Sequence, residues 1–168
     1  MVGASQFDAS CNNAVGGLSD GSLSDAPPLL PAGEYLATYV RHETGYFRSS
    51  PKVYVHLRIA EGEYRGVQVY RAYRVHKVVG KPKRFGRFKV HHSHALYRQL
   101  VTISGVATRP DRVSLAGLKG CLLKISVRTV THDAGGQGRK PKPLPEPLRY
   151  SVVDELLSIE AGSIKKAG

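Results

Sequence analysis

Residues 52–60 read KVYVHLRIA, and this run constrains the chain more than any other. Val53, Val55, Leu57 and Ile59 occupy one parity, and Lys52, Tyr54, His56 and Arg58 occupy the other. Successive strand residues point to opposite faces, so strict period-2 alternation predicts a sheet with a core side and a polar, accessible side. A helix would mix the two sets. The chain must therefore be organised around an antiparallel sheet with one covered face.

The neighbouring segments extend that reading. Residues 34–41 (EYLATYVR) alternate, with Leu36, Thr38 and Val40 on one face and Tyr35, Ala37 and Tyr39 on the other. Residues 42–51 contain Gly45 and Pro51 and are expected to form a turn segment. Residues 61–66 (EGEYRG) carry two glycines and suit a hairpin connection. Residues 67–76 (VQVYRAYRVH) make a third strand of imperfect alternation, because Arg71 falls on the face of Val67, Val69, Tyr73 and Val75. A bulge or strong twist would account for that. Residues 77–89 form a basic, glycine-containing loop. Leu96, Leu100 and Ile103 then follow helical spacing, with Ser93 as candidate cap and Gly105 at the C′ position. Residues 121–131 and 148–159 are the fourth and fifth strands, the latter with an expected bend near Asp154, and a Gly/Lys/Pro-rich loop joins them.

The order β-β-β-α-β-β, mainly β with one helix between the third and fourth strands, is that of a five-stranded barrel of the oligonucleotide-binding (OB) type. A β-sandwich with one helix is the alternative. Residues 32–160 make up this domain. Residues 1–31, rich in Ser, Gly, Asn and Asp and closed by Pro27, Pro28 and Pro31, are expected to form a disordered acidic tail, and residues 161–168 a frayed C-terminus. The chain of 168 residues suffices for one cored domain.

Charge narrows the function. Lys and Arg number 25 against 13 acids, a net +12. Residues 1–33 hold no Lys or Arg, so the surplus belongs to the folded part. Such a surplus attracts polyanions. The polar side of the second and third strands offers Tyr54, His56, Arg58, Tyr70, Arg71, Tyr73 and Arg74. Single strands bind by stacking bases on aromatic rings while cations follow the phosphates. Which of Tyr70 and Tyr73 faces outward depends on the register of the third strand, which the pattern leaves open. The loop 77–89 adds Lys77, Lys81, Lys83, Arg84, Arg87 and Lys89, with Phe85 and Phe88 either reaching into the core or stacking on bases. Arg48, Lys52 and Arg65 extend the track, and Arg139, Lys140 and Lys142 form a second basic loop between the last two strands. In an OB barrel, that loop and the one between the first two strands flank the groove.

Catalysis has little support. The acids form no tight constellation, and neither GxxxxGK[ST] nor GxSxG occurs. No cofactor is expected. His91, His92 and His94 form an H-H-x-H cluster, but no cysteine accompanies it, so no metal site is assigned. Cys11 and Cys121 stand far apart with no CxxC, which fits a reducing cytoplasm. No apolar run reaches the length of a membrane span and no signal-peptide pattern opens the chain, so neither membrane association nor export is expected.

The stretch Leu30-Pro31-Ala32-Gly33-Glu34-Tyr35, the strand through Val53 and Ile59, the turn Glu61-Gly62-Glu63-Tyr64-Arg65-Gly66 and the helix ending in Gly105 resemble phage and mobile-element single-stranded-DNA-binding proteins. In that group "PAGxY" opens the first strand and "xGxYxGR" joins the second and third. The resemblance spans residues 30–105 and, more loosely, 118–160. It implies an OB barrel that coats single strands during replication or recombination, with replication or recombination proteins as partners. Val67 stands where an Arg often follows the turn glycine, and the C-terminus is basic where many single-strand binders end in an acidic, partner-recruiting tail. The expectation is therefore a cytoplasmic, non-enzymatic binder of single-stranded DNA. RNA or duplex binding, or docking on an acidic protein, is the alternative. The oligomeric state is left open.

Overall fold

A computed structural model describes residues 29–133, 135 and 138–162. The expected acidic tail up to residue 28, including Cys11, and residues 163–168 lie outside them. The elements are β1 (Gly33–Phe47), β2 (Ser50–Ile59), β3 (Gln68–Arg74), β4 (Lys77–Val79), β5 (Arg87–Lys89), α1 (Ala95–Ser104), β6 (Leu122–Val130) and β7 (Tyr150–Ala161). Five strands form one antiparallel sheet in the order β3-β2-β1-β6-β7, and β4 and β5 pair separately. The expected five strands are thus present, and the loop 77–89 contributes a two-stranded ribbon that alternation over three residues is too short to reveal.

The covered face follows the sequence pattern. Val53, Val55, Leu57 and Ile59 are buried and pack with Ala37, Tyr39, Leu123, Ile125, Val127 and the α1 residues Leu96 and Leu100. Leu30, assigned to the tail by composition, belongs to this core. It is buried, its N–H donates to Ser151 Oγ, and that hydroxyl donates back to Leu30 O. Cys121 is buried as a free thiol.

β1 serves two neighbours in turn. Its first half pairs with β6, from Gly33↔Val127 to Thr38↔Leu122, and its second half with β2, ending at Phe47↔Ser50. One extra residue, Val40, bulges between Tyr39 and Arg41, and this changes which parity points inward. Tyr39 is buried before the bulge, His42 and Thr44 after it. Segment 42–51, expected to be a turn, is mostly strand. Only Arg48 and Ser49 turn, with φ of 47° and 64°. That left-handed pair is the geometry of a two-residue hairpin normally built from Asn-Gly, whose absence hid the hairpin.

β2 and β3 pair without interruption from Lys52↔Arg74 to Arg58↔Gln68. The imperfect alternation of the third strand is therefore not a bulge. Arg71 does share the side of Val69 and Tyr73. It is accommodated there because β3 is an edge strand and its guanidinium reaches Asp154 of β7, 3.8 Å away. The bend expected near Asp154 is a bulge: Ser126 pairs with Glu155 and Val127 with Val153, leaving Asp154 as the extra residue. Arg128 Nε donates to the same carboxylate at 3.0 Å.

The two edge strands, β3 and β7, approach one another but are not joined in a ladder, so the sheet is curled and open, not a closed barrel. Side chains span the seam instead. Gln99 of α1 accepts from the Tyr73 hydroxyl at 2.6 Å and from Leu156 N–H at 3.4 Å. The helix thus ties both edges at one end. Its N-cap is His94, not Ser93, and no side chain caps it, while Gly105 adopts the expected left-handed conformation and donates to Val101 O.

Candidate functional site

The side of the sheet facing away from the core is organised by the β1–β2–β3 register. Arg41 lies opposite His56, Glu43 opposite Tyr54 and Gly45 opposite Lys52, while His56 lies opposite Tyr70 and Lys52 opposite Arg74. Directly paired residues share a face. Lys52, Tyr54, His56, Arg58, Tyr70 and Arg74 therefore form one surface, as the β2 alternation implies. Arg84 joins it through an isolated antiparallel backbone bridge opposite Glu43.

At its centre the Tyr54 and Tyr70 rings stand 6.3 Å apart, and His56 packs 5.9 Å from Tyr70. Gly45 lies under the first of these rings, where even a Cβ would only reach van der Waals contact with Tyr54, at 3.4 Å. Burial raises the pKa of the Tyr70 hydroxyl, with Tyr150 and Tyr54 adding to the effect. Both rings keep part of their surface exposed. His56 lies deeper. Burial, then the Arg41 charge, holds its pKa below the ordinary value, against an opposing pull from Glu43 and with a further push from Arg84. Its Nε2 is buried without a hydrogen-bond partner among the described residues, 3.9 Å from Glu43 Oε2. Glu43 itself accepts from Arg41 Nε at 2.8 Å. Its charge offsets that of Arg41 and leaves Lys52, Arg58 and Arg74 without an acidic partner among the described residues.

The other predicted residues fall elsewhere. Tyr73 is 2% exposed and belongs to the core, with Arg71 stacked 4.9 Å over its ring, so neither joins the Tyr54–Tyr70 surface. Phe88 is buried, while Phe85 is 55% exposed, which divides the pair between core and surface. In the β4–β5 ribbon Val78 and Phe88 turn inward, and Lys77, Arg87 and Lys89 are exposed. Lys81 and Lys83 are exposed in the loop between them. That loop docks on the free edge of β1: Thr44 N–H donates to Lys83 O and Phe85 N–H to His42 O. Gly86 is required there, because a Cβ would collide with the Thr44 side chain and stand 2.9 Å from Lys83 O.

The two flanking loops lie toward opposite ends of this surface. The β1–β2 hairpin ends at Phe47 and Arg48, beside the Lys52–Arg74 pair. Tyr150, the first residue of β7, is close enough to Tyr70 to act on its pKa. This brings the β6–β7 connection, with Arg139, Lys140 and Lys142 all exposed, to the other end. Sequence reading missed Arg41, Tyr46 and Phe47. The two aromatics are 53% and 50% exposed at the hairpin tip, and Arg48 covers Phe47 at 5.3 Å. The expectation of a turn over residues 42–51 hides them. Continuing the β1 alternation past Gly45 was the signal that could have found them.

His91, His92 and His94 do cluster, with the first two rings 3.9 Å apart. Among the described residues, however, no three His, Cys, Asp or Glu side chains are placed to hold a metal. Among the same residues no helix is long and apolar enough to cross a membrane. In comparison with known proteins, no family model, no curated protein and no solved structure matches this chain.

Proposed function

We propose that this chain is a non-enzymatic, cytoplasmic single-stranded-DNA-binding protein of the OB type, serving replication or recombination. The observation that carries this reading is the outer surface of β2 and β3, where Tyr54 and Tyr70 stand side by side among Lys52, Arg58, Arg74 and Arg84. Two adjacent, partly exposed rings offer bases a stacking platform, and the surrounding cations match a phosphate backbone. The strand order and the side-by-side approach of β3 and β7 support an OB assignment, in which this strand pair and the two flanking loops line the groove. No base-reading constellation is needed, so binding has little sequence preference.

The test is fluorescence anisotropy with a labelled oligo-dT at increasing salt, with duplex DNA and RNA as competitors. Arg48, Lys52, Arg58, Arg74 and Arg84 give five cations along the surface. At about 0.7 per phosphate neutralised on single strands, log K should fall with log salt with a slope of roughly −3.5. Duplex should compete poorly, because paired bases cannot reach the rings. Equal competition by RNA would move the assignment to RNA. Failure to bind oligo-dT at low salt would refute the reading and turn attention to an acidic protein partner.

A further inference from the structure

A cavity of about 500 Å³ opens between the segment 85–89 and the segment 111–119. Its volume falls within the ~300–1,000 Å³ of small-molecule sites. Tyr39 and His42 form part of its lining, so it lies on the other side of β1 from Glu43 and the Tyr54–Tyr70 surface. The polar atoms at its base are already engaged. His42 Nε2 donates to Gly86 O at 3.0 Å, which leaves Nδ1 to accept from the Tyr39 hydroxyl at 2.7 Å. The base therefore presents rings and aliphatic surface, including Phe88 and Leu115.

The mouth differs from the base. Phe85 stands there half exposed, at a φ of 53° that a phenylalanine rarely adopts. Its N–H is held by His42 O, and its ring meets the His42 ring edge-on at 5.7 Å. A large aromatic kept in a strained, exposed position suggests a use beyond packing. Arg87, Lys89, Arg112 and Lys119 also line the cavity, all exposed and none in an ion pair among the described residues. The one acid of the lining, Asp111, is taken by Arg109 Nε at 3.1 Å.

We propose that this cavity binds a nucleoside monophosphate group, its base against Phe85 and the apolar lining and its phosphate among the four rim cations. A planar ring joined to a dianion matches both halves of the site, and neither a bare anion nor a neutral hydrocarbon does. The group can come as a free nucleotide or as the 5′-phosphorylated end of a strand. Arg84, 5.7 Å from the centre of the Phe85 ring, links the mouth to the Tyr54–Tyr70 surface, but the cavity itself lies across β1 from that surface and does not depend on its role.

Amide NMR titration of the full chain with adenosine 5′-monophosphate tests this, with sodium phosphate as control. Saturable shifts are expected at Gly86, Phe88 and Ser114, with Tyr54 and Tyr70 unmoved. Phe85→Ala and the double variant Arg112→Glu/Lys119→Glu should each weaken the Kd at least fivefold with the remaining spectrum preserved, and Tyr54→Ala should leave it unchanged. Shifts that are absent, or that sodium phosphate reproduces at equal affinity, would overturn the proposal. Oligo-dT with and without a 5′-phosphate separates the sources. A terminal nucleotide predicts that the phosphorylated strand displaces the mononucleotide and the hydroxyl strand does not. A free nucleotide predicts that neither does. Failure here with oligo-dT still shifting Tyr54 and Tyr70 would leave the single-strand reading standing.

Discussion

Tyr54, Tyr70 and Tyr73 sit on adjacent strands, yet substituting them should produce two different phenotypes. Tyr54→Ala and Tyr70→Ala each remove a partly exposed ring from the outer surface. Each should cost roughly 1–3 kcal/mol of oligo-dT binding, with thermal stability little changed. Tyr73→Ala empties a core position and should cost about 3–5 kcal/mol of stability, read from urea unfolding. Tyr73→Phe keeps the ring and loses only the bond to Gln99, about 1 kcal/mol. If Tyr73→Phe weakened oligo-dT binding as much as Tyr54→Ala does, the division of faces would be wrong. The division was half legible in the sequence. Alternation in β2 is strict, so Tyr54, His56 and Arg58 could be placed together from residue types alone. β3 places Arg71 on the side of Val69 and Tyr73, and a charged residue on the covered face makes both registers look equally poor. What resolves it is Asp154, more than eighty positions later, which no local pattern connects to Arg71.

At the scale of elements, the β1–β2 hairpin and the 83–86 loop both depend on backbone conformations that residue types disguise. Ser49 has a φ of 64°, where a side chain costs about 1–2 kcal/mol relative to glycine's freedom. Ser49→Gly should therefore stabilise the hairpin, by about 0.5–1 kcal/mol once the greater freedom of glycine in the unfolded chain is offset. A shift of the urea midpoint upward, at unchanged slope, is the expected result, and a downward shift would mean that the Ser49 side chain carries an unseen contact. Gly86→Ala should act in the opposite sense. Its Cβ meets the Thr44 side chain and the Lys83 carbonyl, so the loop must leave the β1 edge, at a cost of about 1–3 kcal/mol. The strands of the main sheet were readable because each is long enough to show its period. The β4–β5 ribbon was not, since three residues a side cannot display one, and the hairpin was not, since Arg-Ser is a poor signal for its turn.

For the whole molecule, the openness of the sheet and the burial of its titrating groups set a pH window. A long-range pattern of five strands and one helix could be read from the sequence, but whether the sheet closes depends on how β3 and β7 meet, and that is decided by α1 and the Asp154 bulge, not by either strand's composition. Several buried groups of the fold resist ionisation. His42 is lowered chiefly by burial, against its bond to Gly86 O, and His56 by burial and the Arg41 charge. His94 is lowered by burial, then by His91, Arg74 and His76. For a histidine whose folded pKa is depressed, the unfolded chain binds the proton more readily. The stability these groups contribute is thus complete above the ordinary value of 6.5 and is lost as pH falls from there toward the folded values. The tyrosines bound the other side. Burial pushes the Tyr39 hydroxyl up to about 12 and Tyr73 higher still. A raised tyrosine contributes stability below the ordinary value of 10.0, and that is lost as pH rises through the folded value. Thermal unfolding followed by circular dichroism should show a plateau between these limits and a fall on each side. The acid limb should steepen at low salt, where the net charge of +12, counted with all histidines neutral, and the protons added to them repel most strongly. A midpoint that stays level from pH 7.5 to pH 5 at low salt would mean that His42 and His56 protonate in the folded state without cost. That would contradict the tautomer imposed by Gly86 O and the buried, unpartnered Nε2 of His56.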